Sequence, residues 1–272
     1  MANTEPAEKP DPNSVFYEKA ERAMRELFEK ARATQELHFA MALMPEFRGM
    51  QDAGWNTAEE ALNAFDQFMV AIENIGKDNL ARVRVVLALY LHAAESGGFY
   101  EVPKKMLLTI ENAGNNIMPF NGLVREHRLS GQKIAPNANA VMQDLAGHAS
   151  ELGLTALSEV FRDAFDPDVR NAIGHADYIL VPQGMRLRKR NGGDVRLIPW
   201  DEFDPLINRG LGLFQIIRHL STEYQRSYES PKTIKSRMHH TEPVGDYTIY
   251  ADAKNGAFGF TTGKEPPKGF GK

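Results

Sequence analysis

The chain has 272 residues, of which 42% are apolar and 25% charged, enough for one or two domains with a core that needs no covalent staples. Its 32 Lys and Arg stand against 36 Asp and Glu, a net charge of −4, so no overall basic field marks a strong binder of duplex DNA or of membranes. The absence of cysteine excludes disulfides, thiolate metal centres and a cysteine nucleophile; it fits a reducing compartment, and a cytoplasmic location is the expectation.

In chain order, residues 1–13 read as a disordered tail, polar and proline-rich, unlike a signal or transit peptide. Ser14 is placed as a helix N-cap. Phe16, Ala20, Ala23, Met24, Leu27, Phe28 and Ala31 then recur at helical spacing and predict one long helix to about Met44, before Pro45. A loop over 49–56 follows. Thr57 and Glu60 form a capping-box pattern that opens a helix carrying Leu62, Phe65, Phe68, Met69 and Ile72, ended by Gly76. The next helix, 79–94, is apolar almost all round (Leu80, Val83, Val86, Leu87, Leu91) and is expected at the centre of a bundle. Its clean apolar run, 85–91, is far short of the ~20 residues that cross a membrane, and no membrane association is expected. Residues 102–112 read as helix, 114–136 as a long loop, and 137–152 and 154–165 as two further helices.

After Ala176 the pattern changes. Residues 178–181 and 185–190 have strand character, Asn191-Gly192-Gly193-Asp194 signals a turn, and 195–198 answers as a partner strand. Residues 201–224 return to helix, and 247–252 with 257–262 flank a second hairpin signal, Lys254-Asn255-Gly256. The expected fold is mainly α: a helical bundle with one or two small β-hairpin additions in the C-terminal third. It divides into the tail at 1–13, a helical domain at 14–228 with a hairpin insertion near 178–198, and a C-terminal hairpin extension and tail at 229–272.

Chemistry concentrates at 166–177, Asp-Pro-Asp-Val-Arg-Asn-Ala-Ile-Gly-His-Ala-Asp. Asp166 can cap a helix whose first residue is Pro167, where the missing N–H costs nothing. On that helix Val169, Ala172, Ile173 and Ala176 share an apolar stripe, and Arg170, Asn171, Gly174 and His175 gather on the other side. Asn171 and His175 are i,i+4 neighbours, and Arg170 is long enough to reach across. A guanidinium suits a phosphate, an imidazole exchanges protons near neutral pH, and an amide can orient either. Such a trio suits transesterification of an RNA phosphodiester without a metal, with a 2′-hydroxyl as the nucleophile. The plain reading of the same spacing is a solvated helix face or a helix-packing pair.

The string Arg170-Asn171-Ala-Ile-Gly-His175 resembles the signature of the HEPN superfamily (higher eukaryotes and prokaryotes nucleotide-binding), an Arg, often followed by a polar residue, then a His after a gap of four to six. The resemblance takes in the helices from about 137 to 224. It implies an all-α bundle and a metal-independent endoribonuclease acting as a homodimer, with two motif helices facing across a twofold axis. It implies Arg170 and His175 as catalytic and Asn171 as their polar helper. It further implies a toxin or defence effector, with an antitoxin or a nucleotidyltransferase as partner. One toxin branch carries a tyrosine two residues after the histidine; this chain has Asp177 there and Tyr178 one further on. Some members of the superfamily bind without cleaving, so a catalytically inactive protein- or nucleotide-binding module is the alternative. An ordinary helical scaffold is the third.

Arg186, Arg188, Lys189 and Arg190, with Arg196, make a basic hairpin that either grips the RNA backbone or protects an edge strand, and Asp163, Asp166, Asp168 and Asp177 stand near it in sequence. His239-His240 alternate in direction if extended, and no carboxylate lies at ligand spacing, so no metal site and no cofactor is expected. Tyr247, Tyr250, Phe258 and Phe260 read as hairpin core, with stacking on bases as the alternative. No phosphate-binding glycine loop or nucleophile elbow occurs.

Overall fold

The computed structural model describes residues 11–44, 56–77, 79–114, 116–188, 193–254, 256–267 and 270. It is mainly helical. Helix α1 (Pro12–Thr34) begins earlier than its spacing suggests: Asp11 is the N-cap and accepts from the Asn13 amide, with a proline at the N-terminal end of the helix. Ser14 sits inside the helix, its hydroxyl donating to Asp11 O at 2.8 Å. The apolar spacing holds, since Phe16, Ala20, Ala23, Met24, Leu27, Phe28 and Ala31 are all buried. The helix does not continue to Met44. It breaks at Gln35 (φ −155°, ψ 96°) and resumes as α2 (Glu36–Ala42). The break carries no Gly or Pro signal. Its cause is tertiary: the Glu36 carboxylate accepts from Arg32 Nε, Tyr228 Oη and Lys232 Nζ, which pulls α2 towards the C-terminal sheet.

Helix α3 (Thr57–Asn74) is capped one residue before the expected box, by Asn56, whose side chain accepts from the Glu59 amide at 3.1 Å. Helix α4 (Leu80–Glu95) is capped by Asn79 and buries Leu87, Leu89, Tyr90, Ala93 and Ala94. It is not the central helix: Leu80 is 52% exposed, and α1 instead lies among α5 (Glu101–Ile110), α7 (Thr155–Ala164) and α9 (Trp200–Arg226). Helix α6 (Ala138–Glu151) pairs with α7, and α8 (Pro167–Gly174) packs on α4. Two glycines of α9 let aromatic rings approach closely. A Cβ at Gly210 would lie 2.6 Å from the Phe165 ring, and one at Gly212 would clash with the edge of the Tyr17 ring. The Phe99 and Phe65 rings stack on Phe214 at 4.0 and 4.9 Å between centroids.

The β content exceeds one or two hairpins. Within the expected long loop, β1 (Arg125–Glu126) and β2 (Lys133–Ile134) form a short antiparallel ladder. Strands β3 (Tyr178–Val181), β4 (Gly184–Leu187) and β5 (Arg196–Pro199) form an antiparallel meander. Its register sets Ile179 opposite Arg186 and Arg186 opposite Leu197 on the outer face, while Met185, Leu187 and Ile198 are buried beneath. A third sheet joins β7 (Gly245–Asp252) and β8 (Ala257–Thr262), as expected, to β6 (Lys232–Ser236), which its Lys-rich sequence conceals. This sheet packs on α2, where Ile249 is fully buried and His38 Nε2 lies 3.0 Å from Met238 O. Among the described residues, no helix is long and apolar enough to cross a membrane.

Candidate functional site

The corner built by α8 is held from beneath. Asp166 caps the helix, its Oδ1 accepting from the Asp168 and Val169 amides at 2.9 and 3.0 Å. The Asp166 amide in turn donates to Tyr90 Oη of α4 at 2.8 Å. Burial holds the Tyr90 phenol well above its ordinary range, so this hydroxyl is a neutral, fixed hydrogen-bonding group. Val169 and Ala172 are buried and Ile173 is half-buried, which seats that part of the expected apolar stripe on the bundle; Ala176, expected on the same stripe, is exposed because α8 ends at Gly174. At the other end His175 is the C-cap, its amide donating to Asn171 O at 3.0 Å. Ala176 takes a left-handed conformation (φ 54°) that turns the chain sharply into β3, a place usually given to glycine.

Asn171, Gly174 and His175 are exposed, as the helical spacing predicts. Arg170 differs. Its side chain is only 13% exposed and leans back onto α4, where Nη2 makes an ion pair with Glu95. Nη1 donates to Asn171 Oδ1 at 2.6 Å, and Nε is buried without a hydrogen-bond partner. The guanidinium and the amide are therefore joined, and the exposed imidazole lies one helical turn beyond the amide. Glu95 is the functional neighbour that sequence reasoning missed. It lies far upstream, and its only local sign is a carboxylate at the end of an apolar helix, just before Gly97-Gly98. Gly174 is exposed, and a methyl group there would meet Leu91 Cδ1 of α4 at an ordinary 3.7 Å.

The basic hairpin divides. Arg196 lies 2.7 Å from Asp166 Oδ2 and 3.6 Å from Asp168 Oδ2, so it buttresses the cap of α8. Arg186, on the strand that packs against α8, and Arg188, just past its end, are exposed, and the Arg188 amide donates to Asp177 O at 2.8 Å, two residues from His175. Lys189 and Arg190 lie outside the described residues.

Titratable groups gather a second time between α5 and α6. Lys104 Nζ lies 2.8 Å from Asp144 Oδ2 and 2.9 Å from His148 Nδ1, and His148 Nε2 faces Glu111 Oε2 at 3.0 Å. Lys104 and His148 are both buried. Burial, and then the neighbouring ammonium, hold the His148 imidazole below its ordinary range. His239 and His240 stand in the exposed segment after β6, with His239 Nδ1 2.8 Å from Thr241 Oγ1. When the chain is compared with known proteins, no family model, no curated protein and no solved structure matches it.

Proposed function

We propose that the α8 corner is the cleavage centre of a metal-independent endoribonuclease of HEPN type, acting as a homodimer whose two α8 helices face each other. The observation that supports this is one capped helix carrying an exposed His175 and Asn171 with the Arg170 guanidinium bonded to that same amide. In this reading the His175 imidazole takes the proton of a 2′-hydroxyl as its oxygen attacks the adjacent phosphorus. The bond from phosphorus to the 5′-oxygen breaks, and that oxygen takes up a proton. The products carry a 2′,3′-cyclic phosphate and a 5′-hydroxyl. Arg170 stabilises the charge that builds on the phosphoryl oxygens, and Asn171 holds the guanidinium in place. Exposed Arg186 and Arg188 contact the flanking backbone.

One feature favours a second reading. Arg170 is engaged by Glu95 and mostly covered, as suits a helix-packing pair in a catalytically inactive module that binds protein or nucleotide. The two readings part in one assay: purified protein with mixed RNA in EDTA. The nuclease reading expects cyclic-phosphate ends that disappear in His175→Ala and Arg170→Ala, with both variants folded. Equal cleavage in wild type and variants, or none in any of them, removes it. A toxin or defence effector further expects that expression slows growth of a host cell and that the same substitutions restore it.

A further inference from the structure

Beside Arg170, on the side of α8 that carries Pro167, a cleft of about 140 Å³ opens between α6, α7 and α8. That is several times the ~15 Å³ that admits one water. Its polar wall is made by Asn139 and Gln143 of α6, Arg162 of α7 and Arg170 of α8, over a floor of Phe161 and Phe165. Among the described residues, the side chains of Asn139, Gln143 and Arg162 make no direct hydrogen bond or ion pair, although the charge of Arg162 acts on Glu159, and the buried Nε of Arg170 has no hydrogen-bond partner. At the N-terminus of α6 the Asn137 side chain is used by the Ala140 amide, which leaves the amides of residues 138 and 139 without an intrahelical acceptor. Among the described residues, no carboxylate lines the cleft. Four carboxylates of the surrounding helices are held in ion pairs: Glu95 with Arg170, Asp166 with Arg196, Asp144 with Lys104 and Glu159 with Lys19.

We infer that this cleft is a phosphate subsite. Donor-bearing side chains from three helices border it, more than the two oxygens of a carboxylate can use, and a tetrahedral phosphate presents oxygens in several directions at once. The buried aromatic floor lowers the local dielectric and strengthens each contact. The phosphate is free, or is carried on the end or the backbone of an RNA strand. The inference does not rest on the nuclease reading, because binding here needs neither His175 nor bond cleavage.

The test is calorimetric titration of the full chain with inorganic phosphate at constant ionic strength. Saturable binding is expected, weakened about tenfold in Arg162→Gln and in Gln143→Glu. Both positions are exposed, and an unchanged melting temperature verifies that each variant folds. Short 2′-O-methyl RNAs, which cannot be cleaved, identify the source. Tighter binding of the 5′-phosphorylated strand, lost in Arg162→Gln, assigns a terminal phosphate. Equal binding of both strands, weakened alike by Arg162→Gln, assigns a backbone phosphate. Binding of inorganic phosphate without either strand assigns a free anion. No saturation by on the order of 10 mM phosphate, or variants that bind like wild type, overturns the inference.

Discussion

Two places in this molecule hold nearly the same chemical groups. At the α8 corner a guanidinium, a carboxylate and an imidazole belong to Arg170, Glu95 and His175; between α5 and α6 an ammonium, carboxylates and an imidazole belong to Lys104, Asp144, Glu111 and His148. They differ in access. His175 is exposed, whereas His148 is 7% exposed and lies against an ammonium. The buried set is a structural clamp between two helices, and the open set is the one that the proposed function gives a substrate. Burial, more than residue type, separates the two roles.

The sharpest way to break this comparison is to remove each imidazole. His175→Ala is expected to reduce RNA cleavage by roughly 10²–10⁴-fold, the usual worth of a general acid–base, and to move stability by less than about 0.5 kcal/mol. Cleavage rates and urea midpoints measured on one preparation read both effects. A stability loss without a rate loss would place His175 among the packing residues.

The second effect belongs to the clamp. Lys104→Met leaves Asp144 without its cation and is expected to cost about 3 kcal/mol, the low end for a broken buried pair because Asp144 retains some solvent. Denaturant unfolding measures it, and RNA cleavage below the new midpoint should be unchanged.

The third is a pH dependence. Burial holds the imidazoles of both His148 and His38 below the ordinary histidine range. The unfolded chain therefore binds protons that the folded chain does not. Stability is complete above about pH 6.5 and is lost as pH falls through the depressed values. Urea midpoints between about pH 7.5 and 5 should follow that direction, with a shallower slope in His148→Gln. A midpoint that rises on acidification contradicts the assignment.

The smallest effect sharpens the open site. Glu95→Gln removes both the competitor for Arg170 and a negative charge near the substrate phosphate, so RNA binding should tighten a few-fold, on the order of 1 kcal/mol. Weaker binding would show that Glu95 aims the guanidinium rather than restrains it. Fluorescence anisotropy with a 2′-O-methyl strand reads the change without cleavage.

Much of this arrangement is legible in the chain. Asp166-Pro167 announces a capped helix, and the spacing of Val169 and Ala172 against Asn171 and His175 sorts its buried and open faces, because a cap and a helical period are local matters. The same logic misplaces the start of α1 by three residues and that of α3 by one, since Asp11 precedes Ser14 and Asn56 precedes Thr57 as an equally able N-cap. The break at Gln35 and strand β6 are not legible, because each depends on partners distant in sequence: Glu36 on Tyr228 and Lys232, and β6 on its register with β7.

By itself, then, the amino-acid order determined a mainly helical chain and the composition of its motif helix. Only the tertiary structure decided which way Arg170 leans, which histidine meets water, and that Arg162 and Gln143 border one cleft with Arg170. Those outcomes depend on which helices lie side by side, and side-chain burial and ion pairing are settled by neighbours that helical periodicity does not encode.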